Sequence, residues 1–200
     1  KDGIKDALVD RIDVPLYAHN PLKGAANAPV TIVEFSDIGC QTCDDVFDEI
    51  NTIVRKYPQH IRWVHKYASL NPFGGKSLAA FYSKIANKYD KFWPFRSALR
   101  KIKEPTKENL VPALIDAGVE VRNMQNLIRL HAREIYRGLD ADTVLNIKMG
   151  LKAPPAILVN GIVIGGAIPL EMFEDVVIYE LERQDIAYQE EQNKKNGAQN

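Results

Sequence analysis

The chain has 200 residues, with 26 Lys and Arg against 26 Asp and Glu, so its formal net charge is zero at pH 7. A content of 46% hydrophobic and 26% charged residues is typical of globular chains. It excludes a disordered polyelectrolyte, a collagen-like polymer and a disulfide-dense miniprotein. Balanced charge argues against nucleic acid as a partner, and no apolar run reaches the roughly 18–20 residues that span a bilayer.

The first 27 residues predict an appendage to the main domain. Residues 1–12 have the apolar spacing of a short amphipathic helix. Residues 13–27 contain Pro15, Pro21 and Gly24, which favour an extended arm. The opening, KDGIKDALVD, is charged and unlike a signal peptide, so we expect a signal or anchor to be absent from this chain.

A βαβ unit is predicted next. Residues 29–36 are rich in β-branched and aromatic types, as in a buried strand. A short loop then reaches Cys40, and apolar residues at 3–4 spacing predict a helix from about Thr42 until Pro58 stops it. Residues 60–68 form a second predicted strand, so the cysteines lie at the start of the helix between the two strands.

The middle of the chain, residues 69–139, is interpreted as an all-helical insertion. Its predicted helices cover 76–90, 92–101, 107–117 and 120–137.

After the insertion the pattern returns to a sheet. A helix over 141–149, capped by Asp140, precedes the β-rich runs AILVN and IVIG, which Asn160-Gly161 joins as a predicted hairpin. A last helix is predicted from Pro169 to about Arg183. The polar tail, residues 186–200, is expected to be frayed or disordered. The order of elements predicts an α/β fold with a mixed sheet, built from residues 28–68 and 140–185.

Cys40 and Cys43 are the only cysteines, and they are three residues apart. This spacing places both sulfurs on one side of a helical turn. At a helix N-terminus, unsatisfied N–H groups and the helix dipole favour the thiolate, which is the attacking species in disulfide exchange. Cys43, one turn in, could then attack the mixed disulfide. The pair therefore predicts two-electron thiol–disulfide chemistry that needs no dissociable cofactor.

Three other interpretations compete with redox exchange. A structural disulfide would close a very short loop and add little stability. A metal site, such as a copper-delivery module, could use the two thiolates, but structural zinc needs four ligands, and the four histidines lack a matching spacing. The chain could also be a redox-silent interaction domain. The strand-loop-CxxC-helix context favours redox chemistry, and we predict no metal site.

Glu34 lies between Val33 and Phe35 in the first predicted strand. A carboxylate in an apolar strand is costly without a partner or a task. If Glu34 is buried beneath the cysteines, its pKa should rise, and it could exchange a proton with Cys43. Equally, it could face solvent at a sheet edge or pair with a lysine.

Pro154 and Pro155 directly precede the strand AILVN. Prolines are tolerated at the start of a strand, but two in succession need a reason. A cis X-Pro bond would set a tight turn beside the sheet, whereas base rates favour an ordinary trans loop.

Three segments resemble the DsbA-like thiol–disulfide oxidoreductases of the thioredoxin superfamily. APVTIVEFSDIGCQTCDDVFDEI resembles their active-site segment, KFWPFRSAL their helical domain, and PAILVNGIVIGG their cis-proline strand and hairpin. The resemblance covers about residues 14–183. It implies a thioredoxin-like mixed sheet with an inserted all-helical domain.

The resemblance also implies roles for single residues. Cys40 corresponds to the exposed nucleophile and Cys43 to the resolving cysteine. Pro155 corresponds to the cis-proline that shapes the substrate groove, in which Pro154, Gln41 and Thr42 also take part. Glu34 corresponds to the family's buried acidic residue below the resolving cysteine.

The family is mostly bacterial and extracytoplasmic. Its members oxidise, reduce or isomerise disulfides in thiol-containing exported proteins, and a membrane redox partner recharges some of them. We therefore expect an extracytoplasmic, periplasmic-type oxidoreductase, with a reductase or isomerase as the alternative. We expect a monomer, since the N-terminal segment is short for a dimerising arm.

The sequence departs from the family pattern at two places. Strong oxidants of the family commonly have Pro-His between the cysteines, whereas here the pair is the uncharged Gln41-Thr42. The nearby carboxylates of Asp37, Asp44 and Asp45 should disfavour a thiolate, so a weaker oxidant is predicted. The second departure is Pro154, which lacks the N–H that usually pairs with a bound substrate strand.

Other candidate residues favour structural roles. His65 alternates with apolar residues along a strand, which favours a satisfied sheet histidine over a metal ligand. Trp93 is interpreted as part of the insertion core. The basic run that contains Arg96 and Arg100 is interpreted as a solvated helix face.

Overall fold

The computed structural model describes residues 10–38, 40–69, 71, 77–122, 124–151, 153–165 and 169–197, with side chains described as far as residue 185. The helix predicted over 1–12 falls mostly outside these ranges. The strands are β1 (Leu22–Gly24), β2 (Val30–Ser36), β3 (Ile61–Tyr67), β4 (Ala156–Val159) and β5 (Ile162–Gly165). The helices are α1 (Gln41–Lys56), α2 (Leu78–Asn87), α3 (Phe92–Leu99), α4 (Lys107–Asp116), α5 (Met124–Lys148) and α6 (Leu170–Gly197).

The strands form one mixed sheet in the order β1-β3-β2-β4-β5. β2 and β3 are parallel and the other neighbours are antiparallel. The arm predicted over 13–27 supplies β1, because Leu22 to Gly24 pair with β3 at the sheet edge. Asn160 and Gly161 both have positive φ, 46° and 85°, as the tightest hairpin turns require. The predicted hairpin is confirmed.

The two faces of the sheet pack against different parts of the chain. Ile32 and Trp63 are register partners on one face, where they pack against buried side chains of α1 and α6 such as Ile50 and Phe173. On the other face, Phe35 packs with partly buried residues of the N-terminal arm and of the end of α5. The strict alternation of side chains along β2 thus sends Glu34 to the same face as Ile32.

A separate helical core lies at one end of the sheet. It consists of buried side chains from α2 to α5, among them Phe81, Phe95, Leu114 and Leu139. Tyr67, the last residue of β3, also belongs to it, so the helical core continues directly from the carboxyl end of the parallel strands.

The helix α5 corrects one prediction. The sequence indicated two helices, 120–137 and 141–149, with Asp140 as a cap between them, but the structure has a single helix of 25 residues. Buried residues continue through the predicted break, from Ile135 and Leu139 to Thr143. Tertiary burial at helical spacing therefore overrides the local capping signal. As a result, α5 contacts both the helical core and the sheet.

The final helix is also longer than predicted. It was expected to end near Arg183 and to be followed by a disordered tail, but α6 continues to Gly197. The residues after 183 contain many Glu, Gln and Lys, which have high intrinsic helix propensity, so the polar composition of the tail is compatible with a helix.

Candidate active site

Cys40 and Cys43 lie where the loop after β2 enters α1. Cys40 is the N-cap residue of the helix, and its carbonyl accepts a hydrogen bond from Asp44 N at 3.0 Å. Both cysteines are free thiols; Cys40 is partly exposed, whereas Cys43 is 0% exposed. A partner sulfur can therefore reach Cys40 but not Cys43.

The environment of Cys43 keeps it protonated. Burial, and after it a hydrogen bond with Cys40, raise the pKa of the Cys43 thiol far above its ordinary value; a hydrogen bond with the Asp37 backbone opposes them, and the charges of Cys40 and Glu34 add smaller increases. At neutral pH Cys43 is therefore a thiol. The two sulfurs of the pair thus differ both in access and in their readiness to lose a proton.

The residues between the cysteines are exposed. Gln41 and Thr42 are both on the surface, and Gln41 Nε2 donates to Asp45 Oδ1 at 3.1 Å. Asp44 is half-buried, and burial raises the pKa of its carboxyl while Arg96 and Arg100 oppose that effect. The local negative charge that the sequence indicated is thus partly countered by two arginines.

The two prolines lie beside this loop. The Pro154–Pro155 peptide bond is cis, and both residues are buried. β4 pairs with β2 so that Ala156 lies opposite Phe35. Continued by one residue, this register places Pro155 opposite Ser36, the last residue of β2. The sheet therefore brings the prolines and the cysteine loop to the same end of β2.

Glu34 is 0% exposed and has a partner that the sequence did not indicate. Arg96 donates to both of its carboxylate oxygens, at 2.6 and 2.8 Å, and Trp63 Nε1 donates to Oε2 at 3.0 Å. The sequence left three alternatives open for Glu34: burial beneath the cysteines, exposure at a sheet edge, or a pair with a lysine. The structure has Glu34 buried, and its partner is an arginine that donates two hydrogen bonds to the carboxylate.

Arg96 corrects the prediction of a solvated helix face. Its residue exposure is 1%, and its guanidinium also reaches Ser36 Oγ at 3.3 Å and the Cys43 carbonyl at 3.5 Å. Arg96 therefore links α3 to the end of β2 and to the first turn of α1. The missed signal was its spacing, because Arg96 falls on the same face as the buried Phe92 and Leu99.

His65 also differs from the prediction. It is 1% exposed, and its ring lies 4.8 Å from that of Phe92. Neither ring nitrogen has a hydrogen-bond partner in the described part of the chain, so it is not the satisfied histidine that was expected. Burial, together with three nearby cations, lowers the pKa of His65 well below its ordinary value. The ring is therefore neutral at pH 7.

Trp93, assigned to the insertion core, in fact joins two cores. Its ring lies 4.3 Å from that of Trp63 on the sheet, and its Nε1 donates to Leu22 O at 3.0 Å. Within the described ranges, no group of three or more His, Cys, Asp or Glu side chains could hold a metal ion.

A mixed five-stranded sheet with a CxxC pair at the start of its first helix and a cis-proline beside it defines the thioredoxin-like class of proteins. The family model described as thioredoxin matches residues 18–177, and the chain belongs to that family.

Curated relatives extend the match. Disulfide bond formation protein D of Bacillus subtilis is 28% identical over 181 residues, covering 84% of this chain and 79% of that protein. The Na(+)/H(+) antiporter NhaA 1 of Mycolicibacterium gilvum is 22% identical over 142 residues, but the chain spans only 23% of that relative's length. None of the helices described here is long and apolar enough to cross a membrane.

Solved structures show the same fold. The thiol-disulfide exchange protein alpha-DsbA2 of Wolbachia pipientis superposes with a TM-score of 0.71 at 21% identity, covering 89% of this chain and 92% of that chain. A periplasmic thioredoxin-like protein of Salmonella enterica serovar Typhimurium superposes with a TM-score of 0.70 at 24% identity, covering 91% and 98%. The predicted α/β fold, a thioredoxin-like mixed sheet, is confirmed.

Proposed function

We propose that this protein is a thiol–disulfide oxidoreductase, in which Cys40 forms a mixed disulfide with the substrate and Cys43 resolves it. The observation that carries this proposal is the asymmetry of the pair: Cys40 is accessible at the N-terminus of α1, and Cys43 is wholly buried one turn further on. Membership of the thioredoxin family and similarity to disulfide bond formation protein D of Bacillus subtilis support it.

The oxidising reaction follows from this asymmetry. A substrate thiolate attacks Sγ of Cys40 in the Cys40–Cys43 disulfide; a bond to Cys40 forms, and Cys43 leaves with the electron pair and takes up a proton. A second substrate thiolate then attacks the substrate sulfur of the mixed disulfide, and Cys40 leaves as a thiolate. The substrate loses two electrons and the pair gains them. Run backwards, Cys40 attacks a substrate disulfide and Cys43 resolves the mixed disulfide, so the substrate is reduced and the pair is oxidised. When another thiolate of the substrate releases Cys40 instead, the substrate disulfide is isomerised with no net electron transfer.

Glu34 is proposed to act on the pair through its charge. The sequence suggested that it exchanges a proton with Cys43, but Arg96 donates to both of its oxygens. This pairing supports an electrostatic role, in which the charge of Glu34 adds a small increase to the pKa of Cys43 beside the larger effect of burial and so favours the thiol form of Cys43.

The substrate groove is proposed to consist of Pro154, Pro155, Gln41 and Thr42. Its exposed members, Gln41 and Thr42, flank the accessible thiol, and the register of β4 brings the two prolines to the same end of the sheet. The division of the chain into a thioredoxin-like domain (28–68 and 140–185) and a helical insertion (69–139) also remains a proposal, with the boundary at 139/140 falling inside α5.

The partners and the location follow from the proposed activity. We infer that thiol-containing exported proteins are the substrates, that a membrane redox partner recharges the pair, and that the protein acts as a monomer outside the cytoplasm. Lasting protein disulfides form and persist mainly in oxidising compartments. The Salmonella enterica relative is described as periplasmic, which supports the same location.

The activity is tested by mixing the oxidised full chain with a peptide that carries two reduced cysteines. We expect the peptide disulfide to form, and the two protein thiols to appear, much faster than with oxidised glutathione at the same concentration. Exchange no faster than with glutathione contradicts the proposed function.

The pair is expected to be a weaker oxidant than the strongest known, at about −120 mV. Gln41 and Thr42 bring no positive charge to the Cys40 thiolate. The negative charge of Asp45 lies one helical turn after Gln41, which donates a hydrogen bond to it. The equilibrium potential against glutathione measures this directly. A Thr42→His variant should shift the potential in the oxidising direction by about 30 mV or more, a tenfold change in the equilibrium constant. A native potential near −120 mV contradicts the prediction.

Pro154 is expected to weaken substrate capture, because it cannot donate a backbone hydrogen bond to a bound strand. A Pro154→Val variant, which restores the N–H, should raise kcat/KM for peptide substrates by about fivefold, the value of one hydrogen bond of about 1 kcal/mol. Steady-state kinetics with a short dithiol peptide provide the measurement. An unchanged kcat/KM would show that no substrate strand pairs at this position.

A further inference from the structure

A second polar centre surrounds Asp142 of α5. Asp142 is 0% exposed and accepts hydrogen bonds from His19 Nε2 at 3.1 Å, from Asn20 Nδ2 at 2.9 Å and from Tyr67 N at 3.1 Å. Burial opposes its ionisation, but the His19 hydrogen bond and two nearby ammonium groups hold the pKa of Asp142 below its ordinary value. Asp142 is therefore a carboxylate.

The two ammonium groups near Asp142 differ in how well they are partnered. Lys66 is 0% exposed, donates to Asn20 Oδ1 at 2.7 Å and lies 4.3 Å from the centre of the Tyr17 ring. Lys84 is 5% exposed, and its contacts are long: His19 O at 3.4 Å and Asp142 Oδ2 at 3.5 Å. An ammonium has three protons to donate, so Lys84 is the incompletely satisfied member of the cluster.

The described residues of this cluster are unequal in charge. They hold two buried lysines, Lys66 and Lys84, against one carboxylate, Asp142. An unbalanced buried charge is costly, and burial accordingly lowers the pKa of Lys84. One negative charge supplied next to Lys84 would balance the cluster.

A cavity of about 360 Å³ opens at this lysine. Lys84, His19 and Asn87 line it, and the rim carries Lys88 and Glu134, which pair with each other at 2.5 Å and so cancel in charge. Gly138 forms part of the wall: a Cβ there would lie 3.1 Å from the His19 ring. The small residue thus leaves room for the imidazole at the cavity.

We propose that this cavity binds a small oxyanion, of the phosphate or carboxylate class, with Lys84 as its charge partner and Asn87 and His19 as neighbouring polar groups. Binding replaces the two long contacts of Lys84 with a short charge-assisted hydrogen bond. None of the residues that line this cavity belongs to the proposed redox site, so the proposal stands or falls independently of the redox function.

The test uses inorganic phosphate as the probe and the full chain in its native form. Chemical unfolding is followed in phosphate and in sodium chloride of equal ionic strength for three proteins: native, Lys84→Met and Lys101→Met. Lys101 is an exposed lysine outside the cavity. Phosphate also stabilises proteins generally by exclusion from their surface, and the two variants share that contribution.

At a phosphate concentration about ten times Kd, the unfolding equilibrium constant of the native and Lys101→Met proteins should fall about 11-fold relative to Lys84→Met. Equal stabilisation of all three proteins overturns the proposal. Should Lys84→Met fail to fold, the amide NMR signals of Asn87 and Gly138 in the native protein decide it. Saturable shifts with phosphate support the site, and shifts that are absent or do not saturate overturn it.

Discussion

A Cys40→Ser variant is expected to lose disulfide exchange completely, leaving only the uncatalysed reaction between the substrate and the redox buffer. A hydroxyl at the N-cap of α1 cannot form the mixed disulfide, and Cys43 is 0% exposed and so cannot take over as the attacked sulfur. Exchange is measured with a dithiol peptide in glutathione buffer. Intact turnover by this variant would disprove the redox function.

The Cys43→Ser variant should behave differently. Cys40 remains accessible and can attack a substrate disulfide, but the internal thiol that resolves this mixed disulfide in the reducing direction is gone, so covalent adducts between Cys40 and its substrates accumulate. Non-reducing electrophoresis and mass spectrometry identify them. Thr52→Ser serves as the control, because Thr52 is an exposed residue of the same helix. If the adducts are as rare as in the control, Cys43 is not the resolving residue.

Arg96→Met is expected to destabilise the protein by about 3–5 kcal/mol, since it leaves a buried carboxylate without its counter-charge. Glu34 is 0% exposed, and among the described side chains its remaining hydrogen bond is from Trp63. Arg96→Lys keeps the positive charge but cannot donate a bidentate pair of hydrogen bonds, so its free energy of unfolding should lie between those of the native and Arg96→Met proteins. Urea unfolding of the reduced proteins gives these differences in the free energy of unfolding.

Two further variants separate the ion pair from the packing around it. The Glu34→Gln/Arg96→Met double variant should be more stable than the sum of the two single losses predicts, because no buried charge remains unpaired. Arg100→Met removes a partly exposed ion pair with Asp48 and should cost less than about 1 kcal/mol. If Arg96→Met lowers the free energy of unfolding no more than Arg100→Met does, the buried Glu34–Arg96 pair does not hold α3 against the sheet.

Most of the local structure could be predicted from the sequence. The strands around Glu34 and His65, the helix after Cys40 and the hairpin at Asn160-Gly161 follow from alternation, 3–4 spacing and turn chemistry, which act over a few residues. The helix break predicted at Asp140 was wrong because contacts with distant parts of the chain decide that position. A capping residue is a weak local signal, and burial of Leu139 and Thr143 against the rest of the fold outweighs it.

Charge partners could not be predicted in the same way. Glu34 and Arg96 are 62 residues apart in sequence and meet only because α3 packs over the end of β2. Tertiary packing also brings His19 and Lys66 to Asp142. His19 is 123 residues from Asp142 in sequence, and Lys66 is 142 − 66 = 76 residues from it. From the sequence alone, a basic residue on a helix is interpreted as solvated. Only the structure shows that the helix face that Arg96 shares with Phe92 and Leu99 is buried.

The sequence by itself determined the reactive inventory: the spacing of Cys40 and Cys43, the uncharged dipeptide between them, and the paired prolines before the strand that follows. These are facts of the covalent chain, which folding does not change. Only the tertiary structure decided which cysteine is reachable, how the charge of Glu34 is balanced, and that Lys84 is buried beside a cavity. Burial and ion pairing are properties of surfaces brought together by folding, and they set the pKa values and the access on which the chemistry of those residues depends.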